Sequence, residues 1–119
     1  MGWVSVAGDC LFCRIVAGGI PADVVRRDDG FVAFRDIAPK APVHLLVIPS
    51  RHVESLAGVG GMSDAERAAM LPFIAEVARE AGLEDGGYRV TTNHGPDARQ
   101  SVFHLHWHVM GGGPLSETM

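Results

Sequence analysis

From Phe103 to Val109 the chain alternates strictly: Phe103, Leu105, Trp107 and Val109 are apolar, and His104, His106 and His108 stand between them. A period of two belongs to an extended strand, whose successive side chains point to opposite faces. The stretch therefore predicts a strand with one face in a core and three imidazoles sharing the other. At roughly 3.3 Å per residue, neighbouring histidines are about 6.6 Å apart at Cα and the outer two about 13 Å. One ion can take two neighbours, but hardly all three.

The same reading along the rest of the chain predicts one short helix, one main helix and four more strands. "DCLFCRIVAG", 9 to 18, reads as a helix with Asp9 as N-cap, an apolar face of Leu11, Phe12, Ile15 and Val16, and Gly18 and Gly19 at its end. "IPADVVRRDDGFVAFRDI" reads as two strands turning at Asp29-Gly30, and "VHLLVIP", between Pro42 and Pro49, as a buried strand. The main helix opens at Ser63 with Glu66 three residues on, a capping-box pattern, and buries Met70, Phe73, Ile74, Val77 and Ala81. Pro72 falls inside that pattern and predicts a kink or break near Ala68. "GYRVTTN" is a fifth strand, and "HGPDARQ" a loop leading into the histidines. Five strands with hairpin-like connections predict an α+β fold on an antiparallel sheet. The glycines of "GVGGMS", 58 to 63, have no preceding strand or βαβ unit, so they predict a flexible connector and no dinucleotide site.

Composition narrows the partners. A chain of 119 residues, 47% hydrophobic and 20% charged, suits one domain with an ordinary core. Its net charge of −4 offers no basic field for nucleic acid, and no apolar run approaches the ~20 residues of a membrane span. "MGWVSVAGD" has neither the basic start nor the apolar stretch of a signal peptide, so a cytoplasmic protein is expected, with its two cysteines reduced.

Imidazole suits nucleophilic work, because an ordinary pKa of about 6.5 leaves much of it neutral at pH 7. A central histidine could attack an electrophile while its flanking partners hold its tautomer and bind anionic oxygens. The alternatives are a solvated sheet face or a hydrolytic metal on two of the histidines, with no acidic residue near in sequence to assist. In the preceding loop Asn93, Gly95, Gln100 and Ser101 can offer donors to phosphoryl oxygens. Cys10 and Cys13 could ligate zinc, form a redox pair or simply pack. His52 and His104 would complete a closed, structural Cys2His2 set. Such a metal is a clamp, whose loss is expected to harm stability more than catalysis.

"CLFCRIVAGGIPA", "VAFRDIAPKAPVHLLVIPSRHV", "GYRVTTNHG" and "QSVFHLHWHVMGG" together resemble the histidine triad (HIT) superfamily, and within it the Hint branch of purine nucleoside phosphoramidases. The last segment holds the pattern His-φ-His-φ-His-φ-φ, φ being apolar. The resemblance implies a HIT-like fold over 9–113, a five-stranded antiparallel sheet with one main helix and a short N-terminal helix, flanked by a flexible 1–8 and a tail at 114–119. It implies cleavage of the P–N bond of a purine nucleoside 5′-phosphoramidate through a nucleotidyl-histidine. Diadenosine polyphosphate hydrolysis, nucleotidyl transfer and a non-catalytic nucleotide-binding regulatory dimer are the alternatives.

By the same resemblance His106 matches the nucleophile, His108 the phosphate contact, His104 a supporting histidine and His44 one that orders the triad. Asn93 and Ser101 match contacts to the phosphate or leaving group. Asp36 and Ile37 match the ribose-binding pair. Leu11, Phe12, Ile15 and Phe34 match an apolar slot for the purine. The resemblance also implies a homodimer and, with the early Cys-x-x-Cys, zinc on Cys10, Cys13, His52 and His104; no Mg2+ requirement is expected. Two departures bear on leaving-group preference. Arg99 stands where relatives often have glycine, and "GGGPLSETM" lacks the aromatic tail of some Hint proteins.

Overall fold

Two apolar runs decide the architecture. In the computed structural model, which describes residues 10–117, β2 (Phe31–Arg35) and β3 (Val43–Pro49) are buried along nearly their whole length. A strand of continuous apolar residues needs cover on both faces, and it receives it. On one side Phe31, Ala33, Leu45 and Val47 pack against α2 (Asp64–Glu80) through Met70, Phe73, Ile74 and Val77. On the other Val32, Phe34, Leu46 and Ile48 pack against α1 (Leu11–Val16) through Phe12 and Ile15.

The strands form one antiparallel sheet. With β1 (Val24–Arg27), β4 (Tyr88–Thr92) and β5 (Trp107–Gly111), the order is β1-β2-β3-β5-β4. The β1–β2 hairpin turns where expected, and Asp28 Oδ1 accepts the Gly30 and Phe31 amides at 2.8 and 2.9 Å. No helix among the described residues is long and apolar enough to cross a membrane.

Four local expectations are corrected. Cys10 caps α1, its sulfur accepting the Cys13 amide, in the role expected of Asp9, which lies outside the described residues. Helix α2 has the capping box at Ser63 and Glu66 but runs unbroken past Pro72. Pro72 is exposed, as is Ala68, so the carbonyl that loses its partner faces water and the helix need not break. The glycine-rich connector is a 3-10 helix, Leu56–Gly61, capped by the Ser55 hydroxyl.

The histidine stretch is the fourth. Only Trp107–Gly111 pairs in the sheet, so His104 and His106 precede the ladder. The alternation still sorts the faces: Leu105, Trp107 and Val109 join the α2 side, while His104 and His106 meet Phe12 on the α1 side. Phe103 departs from the stripe and is partly exposed.

The loop between β4 and β5 holds Arg99 at φ 59°, the left-handed region that favours glycine. That conformation costs a non-glycine residue roughly 1–2 kcal/mol, offset in part by the larger unfolded-state entropy of glycine. Arg99→Gly is expected to stabilise the fold by about 0.5 kcal/mol, read as a rise of a few degrees in Tm.

Candidate active site

The β3–β5 register builds the polar side of the site. Leu46 lies opposite His108, which puts His44, two residues earlier on β3, diagonally on the same face. His44 Nε2 is 2.9 Å from His108 Nδ1 and 3.4 Å from Asp36 Oδ2.

Partners that can only donate or only accept assign the tautomers. The Lys40 amide donates to His44 Nδ1 at 3.0 Å, so in the neutral ring Nε2 carries the hydrogen and donates to His108 Nδ1. His108 therefore holds its own hydrogen on Nε2. His106 Nδ1 lies 2.8 Å from the His104 carbonyl, which only accepts, so that nitrogen is protonated and His106 Nε2 keeps its lone pair. His104 Nε2 donates to the Pro49 carbonyl at 2.8 Å, which leaves the His104 Nδ1 lone pair free.

Burial favours the neutral form of His44, His104 and His108. It pushes His104 and His108 down to about 4, the neighbouring histidines adding to the effect and, at His108, Asp36 opposing it. Burial also lowers His44, again against Asp36. Both His104 and His106 are buried, so the solvated-face reading of the triad is excluded.

The outer two histidines, His104 and His108, belong to two different clusters, with His106 between them. His104 Nδ1 lies 3.3 Å from Cys10 Sγ and 3.5 Å from Cys13 Sγ, and His52 Nδ1 lies 3.2 Å from Cys13 Sγ. The four ligand atoms all fall within 4.8 Å of one another, a group that could hold a metal ion. Burial and the Cys10 sulfur push the Cys13 thiol up to about 11, so a metal would displace its proton. Asp36, His44 and His108 form a second close group. There His44 has no lone pair to give, since Lys40 N–H occupies one nitrogen and hydrogen the other. His44 and His108 are instead joined by a hydrogen bond, with the Asp36 carboxylate beside them.

The remaining expected residues are placed as follows. Phe12, Ile15 and Phe34 are buried together, with the Phe12 ring edge-on to Phe34 at 5.5 Å and to His106 at 5.2 Å. Leu11 is exposed and Ile37 entirely so. Asp36 Oδ1 accepts the Ala38 amide at 2.8 Å. Thr92 pairs with Trp107, which brings Asn93 level with His106, and Ser101 is exposed in the loop. Gln100 departs from expectation. Its Nε2 donates to the Glu54 and Val102 carbonyls at 2.6 and 3.1 Å, and its Oε1 accepts the Gly95 amide at 2.9 Å. Both of its amide hydrogens are engaged in shaping the loop, and neither is left for a ligand.

Several contacts have no signal in the sequence. The Pro49 and His104 carbonyls and the Lys40 amide act through the main chain, whose partners no residue type announces. Thr92 Oγ1 donates to the His106 carbonyl at 2.7 Å, and Ser55 Oγ sits 2.6 Å from His94 Nδ1.

With this geometry in hand, the family is settled by a model described as the HIT domain, which matches residues 17–115. The chain belongs to the HIT family. It is 36% identical over 110 residues to the purine nucleoside phosphoramidase of Escherichia coli, covering 92% of each. A HIT-like protein of Chlamydia trachomatis is 44% identical over 105 residues, 88% of this chain and 94% of that one. Among solved structures, a HIT family hydrolase of Legionella pneumophila superposes with a TM-score of 0.86 at 39% identity, over 92% of this chain and 98% of that one. These matches support the five-stranded antiparallel α+β arrangement of the HIT fold.

Proposed function

We propose that the protein hydrolyses the P–N bond of purine nucleoside 5′-phosphoramidates through a nucleotidyl group held on His106. One observation supports the proposal: the His104 carbonyl holds hydrogen on His106 Nδ1, so that in the neutral ring the lone pair lies on Nε2. The similarity to the Escherichia coli phosphoramidase supports the substrate class.

In the first step the Nε2 lone pair forms a bond to phosphorus and the P–N bond breaks, its electron pair leaving with the amine. The attacking nitrogen brings no proton, so the amine takes one from solvent through the exposed Ser101 hydroxyl. The ring becomes a cation as Nε2 is substituted, and the His104 carbonyl already accepts its Nδ1 hydrogen. In the second step water bonds to phosphorus and gives up a proton to solvent, the P–N bond to His106 breaks with its electron pair returning to Nε2, and the nucleotide is released. His108 offers its Nε2 hydrogen to a phosphoryl oxygen, a donor prepared by His44, Asp36 and the Lys40 amide. Asn93 and Ser101 supply further donors from the loop that Gln100 shapes. Phe12, Ile15 and Phe34, with Leu11 at the rim, take the purine, while Asp36 and Ile37 take the ribose.

Cys10, Cys13, His52 and His104 fit zinc. With Zn–S about 2.3 Å and Zn–N about 2.0–2.1 Å at tetrahedral angles, a shared ion sets sulfur and nitrogen about 3.5 Å apart, close to the 3.2–3.5 Å found here. With all four positions filled by protein, zinc bound there would supply structure and no open site for chemistry.

The sheet edge at β4 suits a second copy of the chain. Its register is regular from Tyr88 to Thr92, whereas the β1 edge is bulged between Val24 and Arg26. A two-fold pairing of β4 strands makes a homodimer, and light scattering returning only the monomer mass would remove it.

Release of AMP from adenosine 5′-phosphoramidate by the purified chain tests the function. Turnover is expected, and tight AMP binding with no turnover on amidates or dinucleoside polyphosphates would leave a binding module instead.

A further inference from the structure

Three segments distant in sequence meet at the sulfur–imidazole cluster: Cys10 and Cys13 on α1, His52 after β3, and His104 before β5. Each leads to the nucleophile.

The shortest path runs through His104 itself. Its ring is held at Nδ1 by the cluster and at Nε2 by the Pro49 carbonyl, and its main-chain carbonyl accepts the His106 Nδ1 hydrogen at 2.8 Å. A second path runs through Phe12, which lies between the two cysteines. Its ring stands edge-on to His104 at 5.9 Å and to His106 at 5.2 Å. A helix of six residues has little stability of its own, so Phe12 is kept against His106 by its packing on the sheet and by the cysteines on either side of it. A third path follows His52. The next three residues fasten the chain around the nucleophile: Val53 O accepts the Leu105 amide at 2.6 Å, Glu54 O accepts Gln100 Nε2 at 2.6 Å, and Ser55 Oγ meets His94 Nδ1 at 2.6 Å. Ser55 Oγ accepts the Ala57 amide, so its hydrogen is available to His94.

From these paths we infer that the Cys10–Cys13–His52–His104 cluster is a positioning device for catalysis: metal held there keeps His106 in the tautomer, and against the ring, from which Nε2 attacks. The inference rests on the proposal that His106 is the nucleophile, and it adds what holds that nucleophile ready. Taken from sequence, the metal is a clamp that matters chiefly for stability. The geometry joins it to the reaction, because a ligand's own carbonyl is the acceptor that selects the His106 tautomer. With the cluster open, the Pro49 and Val53 carbonyls still hold His104 Nε2 and the Leu105 amide, but the sulfurs and His52 no longer fix the His104 ring, and the tautomer with hydrogen on Nε2, which cannot attack, becomes populated.

The test compares zinc-loaded and chelator-treated protein, 15N-labelled, by long-range 1H–15N correlation of the histidine rings. The loaded protein is expected to show His106 with hydrogen on Nδ1 alone, and the metal-free protein a mixture of both tautomers. On adenosine 5′-phosphoramidate, kcat is expected to fall about tenfold or more on metal removal, the scale of losing a supporting contact, with KM little changed. An unaltered His106 tautomer in the folded, metal-free chain would overturn the inference. Cys13→Ser guards against unfolding on chelation, since it keeps Cys10 beside His104 while removing one ligand. A folded Cys13→Ser protein that loses zinc yet shows the wild-type His106 signals would overturn it equally. The tautomer is read without substrate, so failure to cleave any amidate would remove the proposed function and leave this result standing separately.

Discussion

Replacing His106 with asparagine is expected to lower kcat for amidate hydrolysis by about four to six orders of magnitude, the scale seen when an enzyme loses its nucleophile. Asparagine is smaller, but its side-chain amide nitrogen lies near the place of Nδ1 and can still donate to the His104 carbonyl. Phe12 keeps its packing against Phe34 and Ile15, so the fold and the nucleotide-binding surface should survive. What disappears is the Nε2 lone pair. Substrate KM should therefore change little, while the rate falls to what bound donors achieve with water alone. Steady-state AMP release by both proteins, beside matched thermal melts, checks the expectation. A folded variant retaining a tenth of wild-type kcat would remove His106 from the chemistry.

His104→Ala should give the largest loss of stability among the triad substitutions. The ring is wholly buried, and it lies between Phe12, His52 and the two sulfurs. Truncation leaves a cavity and strands the Pro49 carbonyl without a donor. A cavity and an unpaired buried acceptor together cost about 4 kcal/mol, and for a domain of this size that lowers Tm by roughly 15–25 °C. The comparison is His52→Ala, which removes a ligand from the half-buried rim of the same cluster and should cost clearly less in metal-free protein. A drop of only a degree or two in His104→Ala would mean that the ring packs against little.

Much of this site is legible in the sequence, for reasons that differ from residue to residue. The strict alternation around His104, His106 and His108 shows the two faces, because side-chain direction is fixed by the backbone period alone. The cluster of Cys10, Cys13, His52 and His104 is legible because its ligand types are uncommon. The runs in β2 and β3 show burial on both sides. The tautomers were hidden, since they depend on the Lys40 amide and on the Pro49 and His104 carbonyls, and every residue carries such groups. Gln100 misleads for a related reason: an amide in a phosphate-like loop is equally able to build the loop, and only its three partners decide. Pro72 misleads because sequence cannot tell whether the carbonyl it orphans faces core or water. The alternation places the start of the strand too early, because it reports direction and says nothing of pairing, which starts only at Trp107.

The central claim is a covalent nucleotidyl group on His106, and rapid quench of the protein with adenosine 5′-phosphoramidate tests it most directly. Samples taken into base within the first turnover and mapped by mass spectrometry should carry one nucleotidyl group on the peptide containing His106, rising and decaying at rates consistent with AMP release. AMP appearing in a burst or steadily while that peptide stays unmodified, or a nucleotidyl group on any other residue, would contradict the account.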